Sequence, residues 1–254
     1  MALPDKKIVL ITGGNQGVGY ETAKNLVLSS QDYHVILGSR DISRGKAAVK
    51  DIQAVDGVKG TVSSTQIDVT DDRSVDAAAA RLASEYGRLD VLVNNAGIVS
   101  TVSPPTRETF RRVLETNTVG PLSVTEAFLD LLRKAGHKPP RLVFVSSSTG
   151  SITHAADPDS PYYNAGGAME YRISKAAVNM MMVMYHARLK PEGFLVFGAD
   201  PGLCATNFTG DPVSLRNRGA AEAWQGGERV ASVIKGERDN DVGKVLGVYG
   251  VSPW

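Results

Sequence analysis

Short runs of apolar, often β-branched residues recur along the chain at 7–12, 33–38, 61–67, 89–93, 141–146, 194–199 and 244–248. Each predicts a strand, and several are apolar almost throughout, as strands covered on both faces must be. Between them lie longer stretches whose apolar positions recur with helical period, at 17–30, 42–55, 72–86, 106–134, 169–190 and 219–234. This alternation predicts an α/β fold: a Rossmann-type, doubly wound parallel sheet of about seven strands with helices on both faces. Two stretches break the rhythm. The interval 148–168 holds Gly150, Pro158, Pro161, Gly166 and the pair Tyr162-Tyr163, and 202–218 is likewise irregular. Loops at 151–168 and 202–218 are therefore expected to shape a substrate site. No repeat or linker divides the chain, so one domain over 1–254 is expected.

Charge narrows the function. The 254 residues carry 28 Lys+Arg against 27 Asp+Glu, a net charge of +1. Such a chain has no electrostatic bias toward nucleic acid or an anionic membrane, and neither is expected as a partner. The single cysteine, Cys204, cannot close an internal disulfide, and the four histidines share no metal-ligand spacing, so no metal site is expected. Residues 1–7 lack the apolar core of a signal peptide, and no run of about 18 apolar residues occurs. A soluble, cytoplasmic protein is the expectation.

After the first predicted strand comes Thr12-Gly13-Gly14-Asn15-Gln16-Gly17-Val18-Gly19, followed at once by a helical pattern. Gly13 permits a tight turn, Gly17 lets the backbone approach a pyrophosphate, and Gly19 allows close helix–strand packing. The helix N-terminus adds oriented N–H groups and positive dipole. At the start of a βαβ unit, this pattern points to a dinucleotide site. The end of the second strand selects the cofactor. A free ribose 2′-hydroxyl is met there by an acidic side chain, whereas a 2′-phosphate needs a cation. This chain offers Arg40, with Arg44 one helical turn later and Asn15 in the Gly-rich turn, which favours NADP(H). An exposed arginine pair opening a helix is the plainer alternative, and Asp41 dilutes the positive field from beyond the expected contact point.

On the predicted helix at 169–190 lies Tyr171-Arg172-Ile173-Ser174-Lys175. The i,i+4 spacing puts Tyr171 and Lys175 on one face with Cβ atoms about 5 to 6 Å apart. A phenol of ordinary pKa near 10 is a poor acid or base at neutral pH, and a neighbouring ammonium favours its phenolate. Taken alone, such a pair also suits a solvated helix face. The fifth strand, however, ends in Ser146-Ser147-Ser148-Thr149-Gly150 and the fourth in Asn94-Asn95-Ala96-Gly97, both at the carboxyl edge where open α/β sheets bind ligands.

Together these residues resemble the short-chain dehydrogenase/reductase family over essentially the whole chain. Thr-Gly-x-x-x-Gly-x-Gly matches 12–19, Asn-Asn-Ala-Gly matches 94–97, Ser-x-x-Gly matches 147–150, Tyr-x-x-x-Lys matches 171–175, and Pro-Gly-x-x-x-Thr matches 201–206. The resemblance implies that Ser147 orients a carbonyl, Tyr171 is the acid/base, Lys175 lowers its pKa and holds the ribose, and Asn117 anchors a proton-relay water. It also implies Asp68 at the adenine, Asn94 on the cofactor-side backbone and Thr206 at the carboxamide, with Gln16, Val18, Val69, Ala96, Gly97, Pro201 and Gly202 as further cofactor neighbours. Residues 38–49 with 12–19 look like the NADPH-dependent carbonyl reductase branch. That likeness implies Arg40 and Arg44 near the 2′-phosphate and a small-molecule carbonyl substrate reduced with Tyr171 as proton donor.

One departure matters. Ser147 and Tyr171 are 24 residues apart, about twice the separation in many members, so an extra loop precedes the catalytic helix. In carbonyl reductases such an insertion favours monomers, which leaves monomer or homo-oligomer undecided here. The same site run as an alcohol dehydrogenase or as a reductase of carbon–nitrogen double bonds stays open, as does a scaffold that only senses NADP(H). Met180, Met181, Met182 and Met184 read as core packing on the catalytic helix. His154 can touch substrate, and Tyr162, Tyr163, Asn207 and Phe208 either confer specificity or pin the two loops.

Overall fold

Five consecutive strands are each followed by a crossover helix; the inner strands are apolar on both faces and are covered by helices packed above and below them, while the edge strand at Thr61–Gln66 is largely polar. The computed structural model describes residues 5–163 and 167–254; residues 1–4 and Gly166 lie outside the described residues. In chain order the first half contains β1 (Lys7–Thr12), α1 (Gly17–Ser29), β2 (Tyr33–Ser39), α2 (Ile42–Gln53), β3 (Thr61–Gln66), α3 (Asp72–Tyr86), β4 (Val91–Asn94), α4 (Arg107–Leu114) and α5 (Gly120–Arg133). The second half contains β5 (Arg141–Val145), α6 (Ile152–Ala156), α7 (Met169–Leu189), β6 (Leu195–Ala199), β7 (Cys204–Ala205), α8 (Pro212–Asn217), β8 (Ala221–Glu222), α9 (Ala223–Lys235), β9 (Val245–Gly247) and β10 (Gly250–Val251).

The main sheet runs β10-β9-β6-β5-β4-β1-β2-β3. Every pairing is parallel except β10 on β9. Val9 lies in register with Val35 on one side and Val91 on the other. Strand order reverses between β1 and β4, the topological switch point that opens a crevice beyond the carboxyl ends of the strands. Period-two alternation sends Ile8 and Leu10 to one face with Phe128, Phe144 and Met182, and Val9 and Ile11 to the other with Leu26, Val27 and Ile234. The expected Rossmann-type α/β class is the observed one.

Four details depart from the sequence expectations. The sheet has an eighth strand, β10, because Gly250 at φ 102° turns the chain back antiparallel on β9. The helix expected at 106–134 is interrupted by a π turn at Glu115–Val119, whose widened ring closes from Gly120 N–H to Glu115 O. The irregular stretch 202–218 contains β7 and the short helix α8, N-capped by Asp211. Finally, only Met182 of the four methionines is fully buried; Met180 and Met184, one helical turn apart, are 63% and 61% exposed.

Candidate active site

The Gly-rich turn sits at the switch point, and its glycines are there for space and conformation. Gly13 and Gly17 hold φ of +63° and +58°, and a Cβ on Gly19 would lie 2.4 Å from Asn95 Nδ2. Asn95 donates to the carbonyls of Thr12 (2.8 Å) and Gly13 (3.2 Å), while Thr12 Oγ1 accepts the N–H groups of Asn95 and Ala96, both at 3.0 Å. These bonds lock β1 to the end of β4 and leave the opening turn of α1 facing the crevice. No side chain caps that turn and no acidic residue lies in it, so its N–H groups and dipole are free for an anion.

The crevice has a volume of about 1590 Å3 and runs the length of the carboxyl edge. One end is walled by Gly13, Asn15, Gln16, Gly17, Val18 and Gly19, with Arg40 and Arg44 beside them. Arg40 is exposed and takes part in no ion pair among the described residues. Arg44 lies 3.7 Å from Asp41, which also N-caps α2 by accepting from Ser43 N (2.8 Å) and Arg44 N (3.3 Å). Asp41 thus lines the crevice as well. Asp68 and Val69 lie further along, and Asp68 is shaped by accepting from both the N–H and hydroxyl of Thr70. Ala96, Gly97, Pro201, Gly202 and Thr206 wall the stretch leading to the far end.

At that far end, β5 delivers Ser147 and α7 delivers Tyr171 and Lys175 to one wall. Ser147 Oγ is 2.9 Å from Thr149 Oγ1 and accepts Thr149 N–H at 3.2 Å. Lys175 is 5% exposed, donates to Val145 O at 2.7 Å, and holds Nζ 5.6 Å from the centre of the Tyr171 ring. Burial pushes the Lys175 ammonium down to about 8, with Asp200 opposing. Burial pushes the Tyr171 phenol well above its ordinary value, Asp200 pushes it the same way, and the Ser147 hydroxyl pulls it back.

Two expected residues lie outside the crevice wall. Asn94 is buried and donates to Thr125 Oγ1 at 2.9 Å, and its neighbour Asn95 takes the place at the wall. Asn117 is 1% exposed within the π turn. Its side chain accepts from Ile98 N (2.8 Å) and donates to Ile98 O (2.9 Å) and Ser174 Oγ (3.0 Å).

A family model described as short chain dehydrogenase matches residues 7–214. The chain is 38% identical over 259 residues to the short-chain dehydrogenase/reductase tropE of Talaromyces stipitatus, covering 97% of each chain. The chain belongs to the short-chain dehydrogenase family. It is also 32% identical over 199 residues to human retinol dehydrogenase 11, covering 77% of this chain and 60% of that one. Among solved structures, NADPH-bound carbonyl reductase from chicken fatty liver superposes with a TM-score of 0.81 at 27% identity, covering 98% of this chain and 94% of that one.

This family of oxidoreductases uses a nicotinamide cofactor, and the crevice fits one: the uncapped N-terminus of α1 and the Gly17 backbone suit a pyrophosphate, which a Cβ-bearing turn would crowd. Among the described residues no group of His, Cys, Asp and Glu could hold a metal ion, and no helix is long and apolar enough to cross a membrane. Aromatic side chains from three segments stand at the Ser147–Tyr171 end of the crevice. Phe208 stands edge-on to Tyr171 at 5.7 Å, and Tyr162 stands edge-on to Tyr249 at 6.3 Å. His154 packs on Tyr162 at 4.8 Å and bonds to Ser160 Oγ at 2.9 Å, so its position is that of a loop pin. Sequence reasoning missed Asp200, which lines the crevice between Ser148 and Gly202; its one signal was a place directly after β6 and before Pro201-Gly202.

Proposed function

We propose that this protein is an NADPH-dependent reductase that converts a carbonyl group of a small molecule to an alcohol. The observation that carries the reading is one crevice lined at one end by the Gly-rich turn and Arg40, and at the other by Ser147, Tyr171 and Lys175. Arg40, in no ion pair among the described residues, is the ligand for a 2′-phosphate; Arg44, shared with Asp41, is the weaker of the two. The bound cofactor supplies the hydride that the carbonyl carbon receives. Ser147 orients the carbonyl oxygen, and Tyr171 transfers its proton to that oxygen as negative charge develops there. Burial holds Tyr171 in the phenol form, which is the form reduction requires. Lys175, fixed by Val145 O, places positive charge under the phenol ring and steadies it once the proton has left. Both N–H donors of the Asn117 side chain are already engaged, so a relay water that needs a donor or acceptor there is assigned to the backbone of the widened π turn.

The walls of Phe208, Tyr162 and Tyr249 favour a substrate whose body is apolar or aromatic, with the carbonyl as its polar end. The test is NADPH consumption with a panel of diketones, quinones and aromatic aldehydes. Turnover with NADPH and much slower turnover with NADH is the expected result. Tight NADPH binding without turnover on any carbonyl would instead support a cofactor-sensing scaffold.

A further inference from the structure

The crevice contains one buried charge that the reaction scheme above does not use. Asp200 follows β6 directly and is 3% exposed. Its Oδ2 accepts Ser148 N–H at 2.7 Å and its Oδ1 accepts Gly202 N–H at 2.8 Å, while its own N–H extends the β6–β9 ladder to Leu246 O at 2.8 Å. No ion pair among the described residues includes it. On one side Gly247 packs against it, where a Cβ would lie 2.7 Å from Ser148 Oγ and 3.6 Å from Asp200 Oδ2; on the other it borders the crevice. A carboxylate this little exposed, held by two backbone N–H groups, is costly to bury, and its charge is less screened than at the surface.

We propose that Asp200 is a positioning residue for the reductase reaction, tying the serine-bearing end of β5 to the Pro201-Gly202 turn and placing a fixed negative charge beside Tyr171 and Lys175. The inference rests on the reductase reading above. The groups that feel this charge include Tyr171 and Lys175 on α7, Tyr162 on the insertion and Cys204 opening β7, with the cation of Arg229 on α9 nearby, donating to Pro201 O at 2.5 Å. Asp200 opposes loss of the proton from Tyr171 and, acting against burial, from Lys175. Both effects have one sign. Reduction needs the phenol and the ammonium, so activity falls as pH rises through their titration, and Asp200 sets that alkaline limb higher than burial of the lysine alone would.

The experiment is the pH profile of kcat for NADPH-dependent reduction in wild type, Asp200→Asn and Asp200→Glu, with Tyr171→Phe alongside. Asp200→Asn is expected to lower kcat and move the alkaline limb down by roughly one pH unit. Asp200→Glu keeps the charge and disturbs the geometry, so its kcat falls while its limb stays at the wild-type pH. If Asp200→Asn does not fold, Asp200→Ser, which leaves room for a water at the two N–H groups, repeats the comparison. A uniform loss of kcat with an unmoved limb overturns the electrostatic role of Asp200 while leaving the reductase reading in place. Full turnover in Tyr171→Phe overturns that reading, and the role of Asp200 with it.

Discussion

Gly150 packs directly on the backbone of Lys175: a Cβ at position 150 would lie 2.6 Å from the Lys175 carbonyl carbon and 2.8 Å from Ala176 N. The 3-10 turn at Ser148–Gly150 is thereby pressed against α7, and this contact sets where Ser147 stands relative to Tyr171. Gly150→Ala must push the turn off the helix. The expected result is a loss of roughly 10²-fold in kcat, with NADPH affinity nearly unchanged because the cofactor end of the crevice is untouched. Steady-state kinetics beside a direct NADPH titration measures both. Equal losses of kcat and NADPH affinity would point to global disruption.

Arg40 and Arg44 separate by their partners. Arg40 takes part in no ion pair among the described residues, whereas Arg44 faces Asp41 at 3.7 Å. Arg40→Ala is expected to weaken NADPH binding by about 10- to 100-fold and NADH binding hardly at all, with Arg44→Ala giving the smaller effect of the two. Fluorescence titration with both cofactors decides it. Parallel losses for NADPH and NADH would remove Arg40 from the 2′-phosphate.

Much of this was legible in the chain because its causes are local. The turn at 12–19 needs glycine wherever backbone crowds or φ is positive, and strands covered on both faces must be apolar, so neither depends on distant residues. What the sequence concealed depends on contacts between remote segments. Asn94 and Asn95 are adjacent and chemically identical, and they part through remote contacts: the first is buried against Thr125 and the second bonds the Thr12 and Gly13 carbonyls. Asp200 earns its place through Ser148, 52 residues earlier. Burial of Lys175, whose Nζ donates to Val145 O, follows from the packing of α7 against the end of β5 and not from the i,i+4 spacing with Tyr171.

Stability at acid pH should report His34, far from the crevice. This residue on β2 is 7% exposed, with Nδ1 2.8 Å from Thr61 Oγ1 and Nε2 3.1 Å from Tyr86 Oη and Ser63 Oγ. Burial first, and Lys6 second, push its pKa down to about 4. The unfolded chain, titrating near 6.5, binds the proton more readily than the folded one. The stabilisation is therefore complete above about pH 6.5 and is lost as pH falls toward 4, amounting to roughly 3 kcal/mol over that window. Urea unfolding across this range should show the slope in wild type and lose most of it in His34→Asn. An unchanged slope in the variant would assign the acid sensitivity elsewhere.

The most direct measurement is made on Tyr171→Phe, which keeps the ring against Phe208 and removes only the hydroxyl. NADPH affinity is measured by titration and carbonyl reduction by NADPH consumption on the same preparation. The account predicts wild-type affinity with kcat reduced by about 10²- to 10⁴-fold, the range for removal of a general acid. Turnover near the wild-type rate in the variant would contradict it.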